Sequence, residues 1–134
     1  MEEFYTRSIA SEGVKVPLTL PNGEPSEHWI QMRGIDSDEY KKADAAVKRK
    51  LLEVSKIEDA DKRFEAGQDL EREVIAAIIA GWSFSLECTT ENKMKFLKEA
   101  PQIHDQLNQL SANRKYVFRK GSMNSSSGQA ESST

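Results

Sequence analysis

No disulfide can form within this chain, because Cys88 is its only cysteine. A lone thiol fits a reducing compartment. His28 and His104 are the only histidines, and neither belongs to an HExxH or CxxC pattern, so no zinc-type ligand spacing exists. Ser83 and Ser85 lack a GxSxG setting, and no glycine-rich loop offers a cradle for phosphate. No apolar run reaches the length of a membrane span. The opening MEEFYTRS is acidic and lacks the basic start and apolar stretch of a signal peptide. A net charge of −3 disfavours nucleic acid as the partner of the whole domain. These absences predict no cofactor and no metal, and they point away from an enzyme and toward an intracellular binding protein.

The residues that could suggest catalysis have simpler accounts. Cys88 would need a histidine base, and His104 is the sole nearby candidate; a small semi-buried thiol is the commoner state of such a cysteine. The acids Asp36 and Asp38, and the group Glu58, Asp59 and Asp61, stand where helices begin, and there they serve as caps and face the positive helix end. Lys41, Lys42, Lys48, Arg49 and Lys50 are mixed with Asp38 and Asp44, which reads as a solvated helix face or one side of a charged contact.

With 134 residues, 37% of them hydrophobic and 31% charged, one domain with a modest core is expected. The fold class expected is mainly α (α+β): a small N-terminal β-hairpin, then a bundle of about four helices. The first 35 residues read as β and loop. Val14, Val16, Leu18 and Leu20 alternate with polar residues and Pro17, a period-2 pattern. Pro17 restricts that strand to a sheet edge. Pro21-Asn22-Gly23 signals a turn, and Trp29 to Arg33 supplies a return strand, giving a hairpin over 13–34.

Helices are expected over about 36–57, 58–81, 90–99 and 101–112. The first is capped by Asp36 or Ser37 and carries the stripe Tyr40, Ala43, Val47, Leu51 and Val54. The second becomes apolar nearly all round in its C-terminal half, with Trp82 as a core anchor and Gly81 as its stop. Either Thr89 or Thr90 caps the third, and Pro101 opens the fourth. Tyr116-Val117-Phe118 closes the domain, assigned to 1–119. From 120 to 134 the chain is rich in Ser and Gly and is expected to be a flexible tail.

Two stretches together carry a resemblance: EHWIQMRGIDSDEYKKA (27–43) and AGWSFSLECTTENKMKFLKEAPQIHDQLNQLSANRKYVF (80–118). A Trp before an RGxDSD turn, a helix ending in Gly-Trp, a Thr-Glu-Asn cap, a Pro opening the next helix and a closing Asn with an aromatic occur in that order. The positions are Trp29, Arg33, Gly34, Asp36, Ser37, Asp38, Gly81, Trp82, Thr90, Glu91, Asn92, Pro101, Asn113 and Phe118. The chain resembles the tail assembly chaperones of long-tailed bacteriophages and prophages.

That resemblance implies a non-enzymatic protein of the host bacterial cytoplasm that coats the tape measure protein, self-associates into a homo-oligomer and is absent from the finished virion. It also implies a longer frameshifted form that recruits tail tube protein, with no nucleic acid or membrane partner. Arg119-Lys120-Gly121 can be encoded by a slippery heptamer, which accords with such a frameshift. The contrasting reading is a structural head–tail connector or tail terminator retained in the particle; a small DNA-binding regulator using the basic helix is opposed by the acidic balance. Candidate partner-binding residues are Trp29, Met32 and Tyr40 near the hairpin, and Met94, Phe96 and Tyr116 in the C-terminal part. Each is open to a core role as well; Trp29 in particular lies in a β region too small to cover both its own faces.

Overall fold

The computed structural model describes residues 1–133, with side chains through Met123. A 3-10 turn at Glu2–Phe4 leads into α1 (Arg7–Glu12), then β1 (Val14–Thr19) and β2 (Pro25–Met32). Two long helices follow, α2 (Asp38–Ser55) and α3 (Ala60–Ile78), then β3 (Ile79–Trp82). The chain ends with α4 (Thr90–Glu99), α5 (Pro101–Ala112) and α6 (Arg114–Ser133). The mainly helical α+β class read from the sequence holds.

The period-2 pattern of β1 becomes strict alternation, with Val14, Val16 and Leu18 buried and their neighbours exposed. β1 and β2 pair antiparallel, Val16 opposite Ile30 and Val14 opposite Met32. The sheet order is β1-β2-β3, so β1 lies at an edge, where Pro17 costs no ladder bond. At the hairpin turn Gly23 takes φ +90, a conformation open to glycine without steric penalty.

Caps set the helix starts. Ser37 caps α2 by accepting from the Tyr40 amide, Asp59 caps α3, and Thr89 caps α4. Pro101 stands in the first turn of α5, where a missing N–H leaves nothing unpaired.

Three expectations need correction. Residues 79–82 form a strand and do not continue a helix to 81: the apolar run suits either structure, and pairing of Ile79 with Met32 and of Trp82 with Ile30 decides for the strand. Gly81 therefore lies within β3 opposite Gln31, and does not end a helix. The segment before the hairpin is not all loop, because α1 buries Ala10 and ends at Gly13, whose φ is +84. The closing aromatic phrase belongs to a sixth helix, with Val117 buried and Gly121 set directly against Ile9. The tail expected over 120–134 falls, from Asn124 onward, outside the described side chains.

The core gathers the inner face of the sheet (Val14, Val16, Leu18, Ile30 and Met32) against Ile75, Ile78 and Ile79, then Leu97, Ile103, Leu107 and Val117. The distal ends of α2 and α3 project beyond it: Leu51 is 48% exposed, Leu52 68% and Phe64 67%. The apolar stripes read on those helices are thus covered only in their proximal halves.

Candidate functional site

The chain crosses from β3 to α4 through 83–89, and this crossing lays four rings side by side. Trp82 meets Phe84 edge-on at 5.3 Å and Phe96 at 5.8 Å, and Phe84 lies 5.1 Å from Phe96. His28, reaching over from β2, stacks obliquely on Phe84 at 4.7 Å. Offset and edge-to-face pairs of this kind add specific attraction to the burial of the rings.

Hydrogen bonds hold the crossing in place. Trp82 Nε1 donates to the Leu86 carbonyl at 2.7 Å. Ser83 Oγ accepts from the Trp29 amide at 2.9 Å and lies 3.0 Å from His28 Nδ1. The Ser83 amide in turn donates to the Trp29 carbonyl.

Phe84 and Phe96 form one wall of an open groove of about 270 Å³. Its other walls are the end of β1 with Leu18 and Leu20, and the α4–α5 junction with Ala100 and Ile103; His28 and Glu99 stand among its polar residues. Leu20 is 44% exposed. An apolar, concave surface with a polar margin is the form expected of a site for an apolar side chain or a helix ridge.

The six candidates do not converge on this groove. Phe96 lines it. Met94 is half-buried, as is Tyr40, and both pack against the core. Trp29 occupies the outer face of the sheet, with Lys15 Nζ 4.3 Å from its ring centre. Tyr116 is on α6, half-buried, and its hydroxyl pKa is raised by that burial. Met32 is wholly buried and is withdrawn as a contact residue, since its register opposite Val14 puts it on the inner face of β2.

Leu18, Leu20, His28 and Ile103 are not among the partner-binding candidates read from the sequence. No local signal marks them, because a hairpin tip and a helix junction 80 residues apart form the walls.

The shared motif residues occupy a second place, the junction beneath the groove's opposite end of the sheet. Gly34 packs so closely that an added Cβ would stand 3.2 Å from Ala10 Cβ and 3.3 Å from Val117 Cγ1. Ser37 is fully buried, and its hydroxyl donates to the Gly34 carbonyl at 2.7 Å. Arg33 donates from Nη1 to the Ala77 carbonyl at 3.0 Å; its Nε lies 3.4 Å from Glu39, an ion pair without hydrogen-bond geometry. Asp36 accepts from Thr6 and from both Nε and Nη2 of Arg114. Asn113 caps α6 by accepting from the Tyr116 amide at 3.0 Å. The RGxDSD turn is therefore an architectural joint.

Burial pushes the Cys88 thiol pKa up, against the opposing pull of Lys93 and Arg33. A raised thiol is the reverse of an activated nucleophile. Among the described residues no group of three or more His, Cys, Asp or Glu could hold a metal ion, and no helix is long and apolar enough to cross a membrane.

Fold and groove together describe a small, mainly helical domain with an open apolar groove. The particular family follows from comparison: a family model described as phage tail assembly chaperone matches residues 12–114, and the chain belongs to that family. No curated protein and no solved structure matches it.

Proposed function

We propose that this protein holds the tape measure protein soluble while the phage tail assembles, in the cytoplasm of the host bacterium. Membership of the tail assembly chaperone family supports a role in phage tail assembly. The observation that carries the finer reading is the open groove lined by Leu18, Leu20, Phe84, Phe96 and Ile103. It offers apolar surface to a helix ridge, with His28 and Glu99 to contact the polar flank.

Burying one large apolar side chain in such a groove contributes about 1.5–3 kcal/mol, so a single contact is weak and reversible. Many copies along one long helical chain convert weak contacts into firm retention. Release then needs no chemistry, and the protein carries out no reaction and leaves before the virion is complete. Homo-oligomerisation, and a longer frameshifted form that recruits tail tube protein, belong to the same reading. Trp29, Tyr40, Met94 and Tyr116, which lie away from this groove, are further contact candidates in the same reading.

The test is coexpression with the cognate tape measure protein. Soluble tape measure is expected with the native chain, and its loss is expected with Phe96→Asp, provided that variant retains the native circular dichroism spectrum. Equal tape measure solubility with and without this chain would overturn the reading, as would finding the chain as a stoichiometric part of purified particles.

A further inference from the structure

The start of α6 is strongly basic. Residues 114–123 read RKYVFRKGSM, four cations and no acid, in a chain whose net charge is −3. Arg114 is engaged by Asp36, but Lys115, Arg119 and Lys120 have no ion pair with a described residue. Lys120 Nζ lies 5.9 Å from the Tyr116 ring centre. Along this face runs an open groove of about 370 Å³, lined by Asn113, Lys115, Tyr116, Arg119, Lys120 and Met123. Met123 is 64% exposed. Cations interleaved with an aromatic ring and a flexible thioether fit an acidic segment that carries aromatic side chains.

The chain itself contains such a segment. Met1-Glu2-Glu3-Phe4-Tyr5 has two acids flanked by three large apolar residues, with Phe4 78% exposed and Tyr5 59%. None of these five residues lines the α6 groove of its own protomer, and Thr6 is tied to Asp36, the residue that grips Arg114. Both pieces lie outside the stretch 12–114 matched by the family model, save for Asn113 at the groove's end.

We propose that Met1–Tyr5 of one copy docks in the α6 groove of a second copy, giving a reciprocal exchange of segments between two protomers. Glu2 and Glu3 meet Lys115, Arg119 and Lys120, while Phe4 and Tyr5 cover Tyr116 and Met123. Each protomer supplies one segment and one groove, so the contact is self-complementary and closes at two copies. The inference deepens the homo-oligomerisation of the proposed function and shares Tyr116 with it, but the groove at Phe96 takes no part, so the two can fail separately.

The test has two arms. In the first, the mass of the full chain in solution is measured by light scattering at low salt, beside Glu2→Lys/Glu3→Lys and Arg119→Glu variants. A dimer is expected for the native chain, and monomers for each variant. In a mixture the native segment of the Arg119→Glu chain meets the native groove of the other variant, so one of the two contacts, and with it a weaker dimer, is expected to return. In the second, a fluorescent peptide of residues 1–8 is titrated into the full chain carrying Glu2→Lys/Glu3→Lys, whose own segment no longer competes. Binding is expected, weakened at least about tenfold when Arg119→Glu is added to that chain, a difference of ~1.4 kcal/mol. A native chain that is monomeric at all concentrations, or a dimer untouched by both variants, overturns the proposal. Peptide binding indifferent to Arg119 does the same. Soluble tape measure with a monomeric chaperone would defeat this inference while leaving the proposed function intact.

Discussion

Arg114 grips Asp36 through two nitrogens, Nε at 2.9 Å and Nη2 at 3.0 Å, across 78 residues of sequence. The pair joins the turn ahead of α2 to the start of α6. Thr6 adds a third bond from just before α1, so one carboxylate collects three separate parts of the chain.

That arrangement predicts a pH dependence. The Asp36 pKa is lowered, first by its hydrogen bonds from Arg114, against a smaller opposing effect of burial and with help from Thr6. A carboxyl whose folded pKa lies below its unfolded one stabilises the fold above the unfolded value, near 3.8, and that contribution is lost as pH falls through the folded value. Arg114→Gln should therefore move the acid unfolding midpoint to higher pH. Because Arg114 is largely exposed and Asp36 only partly buried, the effect at neutral pH should shrink as salt is added. Acid titration by circular dichroism at two salt concentrations checks it, and an unchanged midpoint would mean the pair contributes nothing.

Gly34 is held by space, not by dihedral angle. An added Cβ lies within 3.4 Å of both Ala10 and Val117, so α1 or α6 must shift to admit it. Gly34→Ala should cost about 1–3 kcal/mol, the usual range for overpacking. Denaturant titration measures the loss; a cost near zero would show that the three segments move apart freely.

Ser37 has two duties, accepting from the Tyr40 amide and donating to the Gly34 carbonyl, while fully buried. Ser37→Ala should destabilise by about 1–2 kcal/mol, combining a lost helix cap with a carbonyl stripped of its partner. Asp38→Ala, in the exposed first turn, should cost less than half of that. Equal losses at both positions would assign the effect to helix charge and not to the cap.

Core and outer sheet face should separate cleanly by their measurements. Leu97→Ala removes a side chain that is 1% exposed and should cost about 2–5 kcal/mol. Trp29→Ser, on the open outer face of the sheet, should leave stability nearly unchanged, which thermal melts of the two variants will compare. A large loss at Trp29 would show that its stacking beneath Lys15 is structural.

Cys88 supplies a kinetic check. With its pKa raised by burial, less thiolate is present near neutral pH than for a free cysteine. Alkylation by iodoacetamide should be slow in the folded protein and return to the rate of a model thiol in denaturant. Rapid labelling of the native chain would contradict the partly buried placement.

Much of this protein follows from local pattern, because caps and periodicity act over a few residues. The alternation of β1, the edge position required by Pro17, the Thr89 cap and the Pro101 start are all short-range physics, and each was legible in the sequence. The stretch 76–82 was not, since an all-apolar run satisfies helix and strand equally. Only the chance to pair with Met32 and Ile30 makes Ile79–Trp82 a strand. The same pairing decided Met32, whose neighbour in sequence says nothing about which face β2 turns inward. The groove, likewise, exists because a hairpin tip and a helix junction are brought together from distant places, and no spacing along one segment encodes that. The sequence by itself determined roughly where four of the six helices begin, which strand lies at the edge and which family the chain joins; the tertiary structure decided which aromatics remain open to a partner, because exposure depends on what packs alongside.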